Sequence, residues 1–152
     1  MQTIGSTGLR ISELKYVTVE AVNAGQATIN CKGTIRQVFL PKQLCTMLKI
    51  YISKQKIRSG SVFITRSGKP LDRSTVWKML KGLCEGARVA KSKVFPHNFR
   101  HLFAKTFYSI QKDIVRLADI LGHSSIETTR IYTMESGEVH IKQLQKLGLL
   151  WY

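Results

Sequence analysis

Apolar and polar residues follow two different periods along this chain of 152 residues. From Pro41 onward apolar residues recur mainly at helical spacing, as at Leu44, Leu48 and Ile52. That spacing predicts helices over residues 41–56, 75–88, 96–108, 113–121 and 138–147, after a short helix at 11–16. Before Pro41, β-branched residues and polar–apolar alternation predict three short strands, at residues 16–22, 27–31 and 35–40.

These elements predict an α+β fold that is mainly helical, with a small three-stranded antiparallel sheet packed on a helical bundle. Short glycine-containing turns join the predicted strands. The first ten residues are predicted to be an interrupted element in which Gly5, Ser6 and Gly8 form a turn. Ser74 is placed to cap the helix at 75–88, and Gly122 to stop the one at 113–121. Ser124 and Glu127 have the spacing of a capping box for a further short helix.

Charge is the most unusual property of the composition. Lys and Arg number 24 against 9 Asp and Glu, which gives a net charge of +15. The basic residues divide equally, 12 and 12, between the two halves of the chain, so the excess is not confined to a tail. Such a charge predicts a polyanionic partner, above all nucleic acid; the alternative is a solvated or ribosome-associated surface.

The remaining composition limits the class of protein. We expect one domain with a real hydrophobic core, given 43% hydrophobic residues, and no membrane span or secretory signal. Cys31, Cys45 and Cys84 are odd in number and lack CxxC spacing. We therefore expect a cytoplasmic protein with buried, inert thiols and neither a disulfide nor a zinc site.

Four segments carry residues suited to attack on a phosphodiester. They are TGLRISEL with Arg10, HNFRH with His97 and Arg100, LGHSS with His123, and RIYT with Tyr132. A tyrosine hydroxyl is a poor nucleophile until a positioned group accepts its proton. Guanidinium groups match the phosphate oxygens on which the transition state places negative charge. The set therefore predicts phosphodiester chemistry that needs no metal.

A metal site is the competing interpretation of the first histidine. His97 and His101 are four residues apart, as in zinc metalloproteases. The chain has Asn98 where that pattern requires a glutamate, and the positive charge of Arg100 would repel a cation. We therefore predict no metal or other cofactor.

Simpler interpretations stand beside each functional one. The HxxR pair could be surface residues, His123 a cationic helix cap and Tyr132 a packing residue. Lys32 lies in a predicted hairpin turn, from which it could donate a proton into a groove or simply remain solvated. Arg36 and Lys42 are candidate phosphate contacts or surface charge.

The segments TGLRISEL, CKG, HNFRHLFAKTF and LADILGHSSIETTRIYT together resemble the catalytic domain of the tyrosine recombinases, the phage integrase family. The resemblance runs from about Ser6 to Tyr132. It implies that Arg10 and Arg100 clamp the scissile phosphate and that His123 hydrogen-bonds it. It further implies that His97 helps to activate the nucleophile.

By the same resemblance Tyr132 is the nucleophile, which would form a 3′-phosphotyrosyl link, and Lys32 is the general acid for the leaving 5′ oxygen. The segment SGKPLDRSTVWKML is similar to the family's DNA-contacting helix, which nominates Ser74, Thr75 and Lys78 as DNA contacts. The function implied is site-specific recombination of double-stranded DNA without metal or ATP. The alternatives are type IB topoisomerase-like relaxation and a non-catalytic DNA-binding protein.

Members of this family usually carry a helical core-binding domain ahead of the catalytic domain. We therefore expect residues 1–152 to be a single catalytic domain without that partner domain, either as an expressed fragment or from a truncated gene. The helix at 138–147 is expected to dock on a neighbouring protomer in a DNA-bound tetramer, or to fold back on its own domain. The expected location is the bacterial cytoplasm, on the nucleoid when DNA is bound.

Overall fold

The computed structural model describes residues 1–31, 33–132 and 146. These residues form mostly helix, so the predicted α+β, mainly helical fold is confirmed. The α-helices are α1 (Gln2–Thr7), α2 (Val19–Ala24), α3 (Lys42–Lys54), α4 (Arg73–Gly86), α5 (Pro96–Gln111), α6 (Ile114–Leu121) and α7 (Glu127–Arg130). The strands are β1 (Gln26–Cys31) and β2 (Thr34–Phe39), and 3-10 helices span Ile11–Tyr16 and Lys91–Lys93.

The sheet in the described part of the chain has two antiparallel strands, so the predicted third strand is wrong. Residues 16–22, expected to be that strand, instead end a 3-10 helix and begin α2. The Thr18 hydroxyl caps α2 by accepting a hydrogen bond from the Ala21 amide (3.1 Å). Gly25 ends the helix in the left-handed conformation, with φ 73°. These two end signals prevail over the strand preference of the valines between them.

Two apolar clusters hold the fold together. The larger lies between the β-hairpin, α2 and α3, and its most deeply buried members are Leu9, Val17, Val22, Ala27, Ile29 and Val62. The smaller joins α5 and α6 and contains Ala104, Leu117, Leu121 and Tyr132. Between them, α1 packs along α5. The residue at which α1 ends, Gly8, lies against Phe103 of α5.

Several element ends differ in detail from the sequence prediction. The first residues form helix α1, not a turn. In α4 the first-turn amide is capped by the Asp72 carboxylate (2.6 Å), and Ser74 only donates to that carboxylate. Before α7 the hydroxyl of Ser125, not Ser124, accepts the Glu127 amide (3.2 Å). Each of these hydrogen-bonding side chains lies within two residues of the predicted cap, because several polar side chains compete at a helix start.

Two further predictions concern burial and membranes. Cys45 and Cys84 are buried as expected, but Cys31 is exposed at the end of β1. Within the ranges that the structure describes, no helix combines the length and apolar character that crossing a bilayer requires. Apart from residue 146, the predicted helix at 138–147 lies outside the described residues, as does Lys32.

Candidate active site

Three arginines from distant parts of the chain meet at the end of helix α6. The carbonyls of residues 120–122 each accept a hydrogen bond from a different guanidinium: Arg36 at 2.6 Å, Arg100 at 2.7 Å and Arg10 at 3.3 Å, in that order. The last carbonyls of a helix have no partner inside it and carry partial negative charge. The end of α6 therefore holds three cationic side chains close together.

Arg100 is the buried member of this group, with only 3% of its surface exposed. Besides the α6 carbonyl, it donates to the Gly8 carbonyl and to Nε2 of His123 (3.0 Å). Burial, reinforced by the charge of Arg10, lowers its pKa to about 10, against the opposing influence of Glu13 and Tyr132. Arg100 therefore remains cationic at neutral pH.

Arg10 is held in place by a carboxylate that the sequence analysis did not single out. Glu13 is 2% exposed and accepts both the backbone amide of Arg10 (2.8 Å) and its guanidinium (3.1 Å). Arg36 donates to Oε2 of the same carboxylate (2.7 Å), the oxygen that also accepts the Arg10 amide, while the Arg10 guanidinium donates to Oε1. Burial alone would raise the pKa of Glu13, but the Arg10 amide and the charge of Arg36 outweigh it and lower that pKa. The spacing of Arg10 and Glu13, that of a capping box, is the signal that could have revealed this contact.

His123 is neutral and its tautomer is set by its partners. A guanidinium can only donate, so Nε2 accepts from Arg100 and the ring proton is on Nδ1. Nδ1 in turn donates to the hydroxyl of Thr129 (2.8 Å), which is fully buried. Burial, followed by the charges of Arg100 and Arg10, lowers the pKa of His123 to about 4. The interpretation of His123 as a cationic helix cap is therefore wrong.

Tyr132 follows α7 and packs between two histidines. Its ring centroid is 6.4 Å from that of His123, nearly parallel at 17°, and 4.8 Å from that of His101, edge-on at 72°. Only 7% of the residue is exposed, because it also belongs to the smaller apolar cluster. The structure thus brings Tyr132 beside the His123–Arg100 pair, in a packed position.

His97 reaches Tyr132 only through another ring. It is exposed near the start of α5, and its centroid lies 4.3 Å from that of His101, which in turn contacts Tyr132. Burial, with the neighbouring His97, lowers the pKa of His101. The part of the chain that the structure describes contains no group of three potential metal ligands.

Two cavities open on either side of Arg10. The first, called here the α4 cavity, has a volume of about 350 Å³ and is lined by Arg10, His97 and Arg100 together with Arg73 and Trp77 of α4. Ser74, Thr75 and Lys78, the predicted DNA contacts, belong to the same turns of α4. The predicted contacts therefore lie on the helix that forms one wall of this cavity, although they do not line it themselves.

The second cavity, called here the hairpin cavity, has a volume of about 830 Å³. Its lining includes Arg10, Arg36 and His123, with Cys31 at the end of β1. Lys32, which is outside the described residues, follows Cys31 directly in the sequence. Arg10 thus faces both cavities, while His97 and His123 each face one.

Comparison with known proteins identifies the family of this fold and site. Residues 1–138 match the model of the phage integrase family, and the chain belongs to that family. It is 33% identical over 142 residues to the tyrosine recombinase XerD of Staphylococcus saprophyticus, which covers 88% of this chain and 48% of that protein. The chain spans about half the length of the curated relatives it matches.

Solved structures agree with this assignment. The crystal structure of XerA recombinase superimposes on 99% of this chain and 56% of its own, with a TM-score of 0.76 and 25% identity. The XerH site-specific recombinase bound to its difH substrate, in a pre-cleavage complex, covers 98% of this chain and 43% of its own. At a TM-score of 0.72 and 23% identity, that second comparison concerns the fold alone.

Proposed function

We propose that this chain is the catalytic domain of a site-specific DNA recombinase in which Tyr132 attacks a DNA phosphodiester. The observation that carries the proposal is the convergence of Arg10, Arg100 and His123 at the end of α6, with the Tyr132 ring stacked on His123. Double-stranded DNA is the proposed substrate, in keeping with the net charge of +15 and with the DNA-bound state of XerH.

The proposed reaction begins when the scissile phosphate binds beside Arg10 and Arg100. The Tyr132 oxygen forms a bond to phosphorus while the bond from phosphorus to the 5′ oxygen breaks. The 5′ oxygen takes a proton, for which Lys32 is the proposed donor, and the Tyr132 proton passes to a base, for which His97 is proposed. Attack by a 5′ hydroxyl of another strand reverses these steps and joins the DNA, so no ATP is consumed.

The arginines supply the electrostatic part of the catalysis. Negative charge grows on the non-bridging oxygens in the transition state, and fixed guanidiniums stabilise it without having to reorganise. Arg100 is fixed by three hydrogen bonds and Arg10 by Glu13, so both are in place before DNA arrives. Preorganised groups of this kind act most strongly where water is excluded, as around the buried Arg100.

Tyr132 must leave its packed position for this reaction. The residue is only 7% exposed and its ring contacts His101, whereas a nucleophile needs its oxygen about 3 Å from phosphorus. We propose that DNA binding moves the α7 segment and frees the hydroxyl. The same burial favours a second candidate function, a non-catalytic DNA-binding domain in which Tyr132 serves packing.

Assembly on DNA is a further part of the proposal. By its resemblance to the family, the chain is proposed to act as a homotetramer on DNA, with the segment at 138–147 docking on a neighbouring protomer. The proposed site of action is the bacterial nucleoid.

Covalent capture of DNA tests the proposed function. Duplexes that the chain binds are selected from a randomised pool, given a nick next to the bound site so that cleavage cannot reverse, and incubated without divalent metal. We expect a protein–DNA adduct on a denaturing gel with the wild-type chain. Tyr132→Phe should abolish it, because phenylalanine has no nucleophilic oxygen.

Tyr51→Phe is the matched control, since Tyr51 is partly exposed on α3, outside the candidate site. This variant should form as much adduct as the wild-type chain. An adduct that survives in Tyr132→Phe would assign the nucleophile elsewhere. Binding without any adduct from the wild-type chain would establish the non-catalytic alternative.

A further inference from the structure

The Arg36 guanidinium is hydrogen-bonded to two parts of the candidate site, the end of α6 and the Glu13 carboxylate. One guanidinium nitrogen donates to the Ile120 carbonyl (2.6 Å) and another to the buried carboxylate of Glu13 (2.7 Å). Its side chain is only 12% exposed, although it lines the hairpin cavity. Arg36 thus shares the charge of Glu13 with Arg10, and its guanidinium is occupied by two partners in separate elements.

The close contact with Gly122 shows how tightly the side chain is fitted. A Cβ atom at Gly122 would lie 2.4 Å from Nε and 2.5 Å from Cδ of Arg36. Gly122 is in the left-handed conformation, with φ 63°, and directly precedes His123. The stem of Arg36 therefore passes against the backbone of the very turn that presents the His123 ring.

The direct hydrogen bond between Arg10 and the Gly122–His123 turn is weaker than the bonds that Arg36 forms. Arg10 and Gly122 are 112 residues apart and share one hydrogen bond of 3.3 Å, at the long end of the normal range. Arg36 forms two shorter, charge-assisted bonds, one to the end of α6 and one to the carboxylate that holds Arg10. Arg100 also joins the two segments, from the Gly8 carbonyl to the Leu121 carbonyl and His123. The path through Arg36 and Glu13 is a second connection, and it ends on the Arg10 side chain itself.

We propose that Arg36 is a positioning residue for DNA cleavage: it fixes the Gly122–His123 turn against the segment that carries Arg10, and so sets the spacing of the phosphate-binding side chains. The catalytic part of this inference rests on the proposed function. A misplacement of about 1 Å in such a site costs about 10²-fold in rate, so the loss of Arg36 impairs the chemical step.

Single-turnover cleavage of the nicked duplex measures the catalytic effect. Arg36→Met removes the charge and both hydrogen bonds and keeps most of the stem. The control is Arg116→Met, because Arg116 is exposed on the same helix, α6, and carries the same charge. We expect adduct formation at saturating protein to slow at least tenfold in Arg36→Met and less than twofold in Arg116→Met. DNA affinity should change by the same factor in both, since each loses one positive charge.

Two companion variants separate positioning from general destabilisation. Arg36→Lys keeps the charge but cannot bridge both anchors, so its rate should fall between that of Arg36→Met and that of the wild type. Glu13→Gln combined with Arg36→Met should be no slower than the slower single variant, because both act through one path. Full additivity of the two losses in rate, or equal rates in Arg36→Met and Arg116→Met, would overturn the inference.

Amide hydrogen exchange in the DNA-free chain tests whether Arg36 fixes the Gly122–His123 turn. This test does not depend on whether the chain cleaves DNA. The amides of Gly122 and His123 are hydrogen-bonded to the Asp119 and Ala118 carbonyls. We expect their exchange to accelerate at least tenfold in Arg36→Met and to stay unchanged in Arg116→Met. Unchanged exchange in Arg36→Met would refute the role of Arg36, whereas absence of adduct from the wild-type chain would refute only the proposed function.

Discussion

At the scale of single residues, the direction of the Arg100–His123 hydrogen bond determines whether His123 can donate to a phosphate. Its Nε2 accepts from Arg100 in the DNA-free structure, and its only proton lies on Nδ1, facing Thr129. A neutral ring in this state cannot donate from Nε2 to a phosphate. The proposed hydrogen bond to phosphate therefore requires that Nε2 gain a proton and give up its bond from Arg100, which keeps its bonds to the Gly8 and Leu121 carbonyls. A nearby anion favours that protonation.

Titration of the His123 ring by NMR is the corresponding prediction. We expect the Nδ1–H tautomer from pH 8 down to about 5 and a midpoint near the pKa of about 4, with the resonance assigned by His123→Gln. This folded-state pKa lies below the ordinary value of 6.5. The ring therefore contributes stability above pH 6.5 that is lost as pH falls toward 4.

Adding a duplex oligonucleotide should raise the midpoint of His123, because the phosphate charge offsets that of Arg100 and Arg10. A midpoint near 6.5 in the free protein would contradict the buried, arginine-bonded ring described here. A midpoint that stays near 4 with DNA bound, with the proton still on Nδ1, would show that His123 does not donate to the phosphate.

At the scale of elements, the ends of α1 and α2 offer a matched pair. Both helices end at a glycine in the left-handed conformation, Gly8 at φ 68° and Gly25 at φ 73°. A Cβ at Gly25 would meet nothing within 4 Å, whereas one at Gly8 would lie 2.7 Å from the Phe103 ring. The two positions therefore share the conformational requirement and differ in packing.

Substitution of each glycine by alanine should separate these two contributions. Gly25→Ala is expected to lower the free energy of unfolding by about 1–2 kcal/mol, the cost of placing a Cβ in the left-handed region. Gly8→Ala should cost about 1–3 kcal/mol more, because the Phe103 ring must move and α1 rests on α5. Urea denaturation of both variants measures the difference, and equal losses would mean that the α1–α5 contact accommodates the methyl group freely.

Local signals predicted some elements and could not predict others. The sequence predicts α3, α5 and α6 from their apolar spacing, and the end of α6 from Gly122. These features are predictable because they depend on neighbours within a few residues. The stretch at 16–22 was misread because a cap and a glycine outweigh the strand preference of the residues between them. These are cases in which short-range signals compete.

The candidate site shows the same limit at longer range. The residue types of the site were evident, and the structure brings Arg10, Arg100, His123 and Tyr132 together; their catalytic roles remain predictions. Arg36 contacts Glu13 and Ile120, which are 23 and 84 residues away in the sequence. Hydrophobic periodicity predicts only local elements, so it cannot predict contacts at such separations. The spacing of Glu13 to Arg10 is visible in the sequence, but the burial of Glu13 is not. Most glutamates are exposed, so the residue type alone does not predict a buried carboxylate.

At the scale of the whole molecule, we expect net charge to dominate the proposed encounter with DNA. Against 24 basic residues the chain has 9 acidic ones, and one of these, Glu13, is buried against two arginines. The surface field is therefore strongly positive, and affinity is expected to come mainly from phosphate contacts and the release of counterions.

Salt dependence of DNA binding tests this view. If the domain neutralises about four phosphates, affinity should fall about 10²-fold between 50 and 200 mM salt, from a slope near −0.9 per phosphate. Fluorescence anisotropy of a labelled duplex over that range gives the slope directly. A slope near zero would mean that contacts to bases or apolar groups provide the affinity. The net charge would then no longer support DNA as the partner.

The meeting of Arg10, Arg36 and Arg100 on three successive carbonyls of α6 also has a consequence for biosynthesis. All three guanidiniums precede α6 in the chain, so a growing polypeptide acquires them before the carbonyls to which they donate. The three guanidiniums converge only when that last turn is formed and docked. A nascent or partly unfolded chain consequently exposes dispersed positive charge, and by the proposed function it gains the ability to cleave DNA only once the domain is folded.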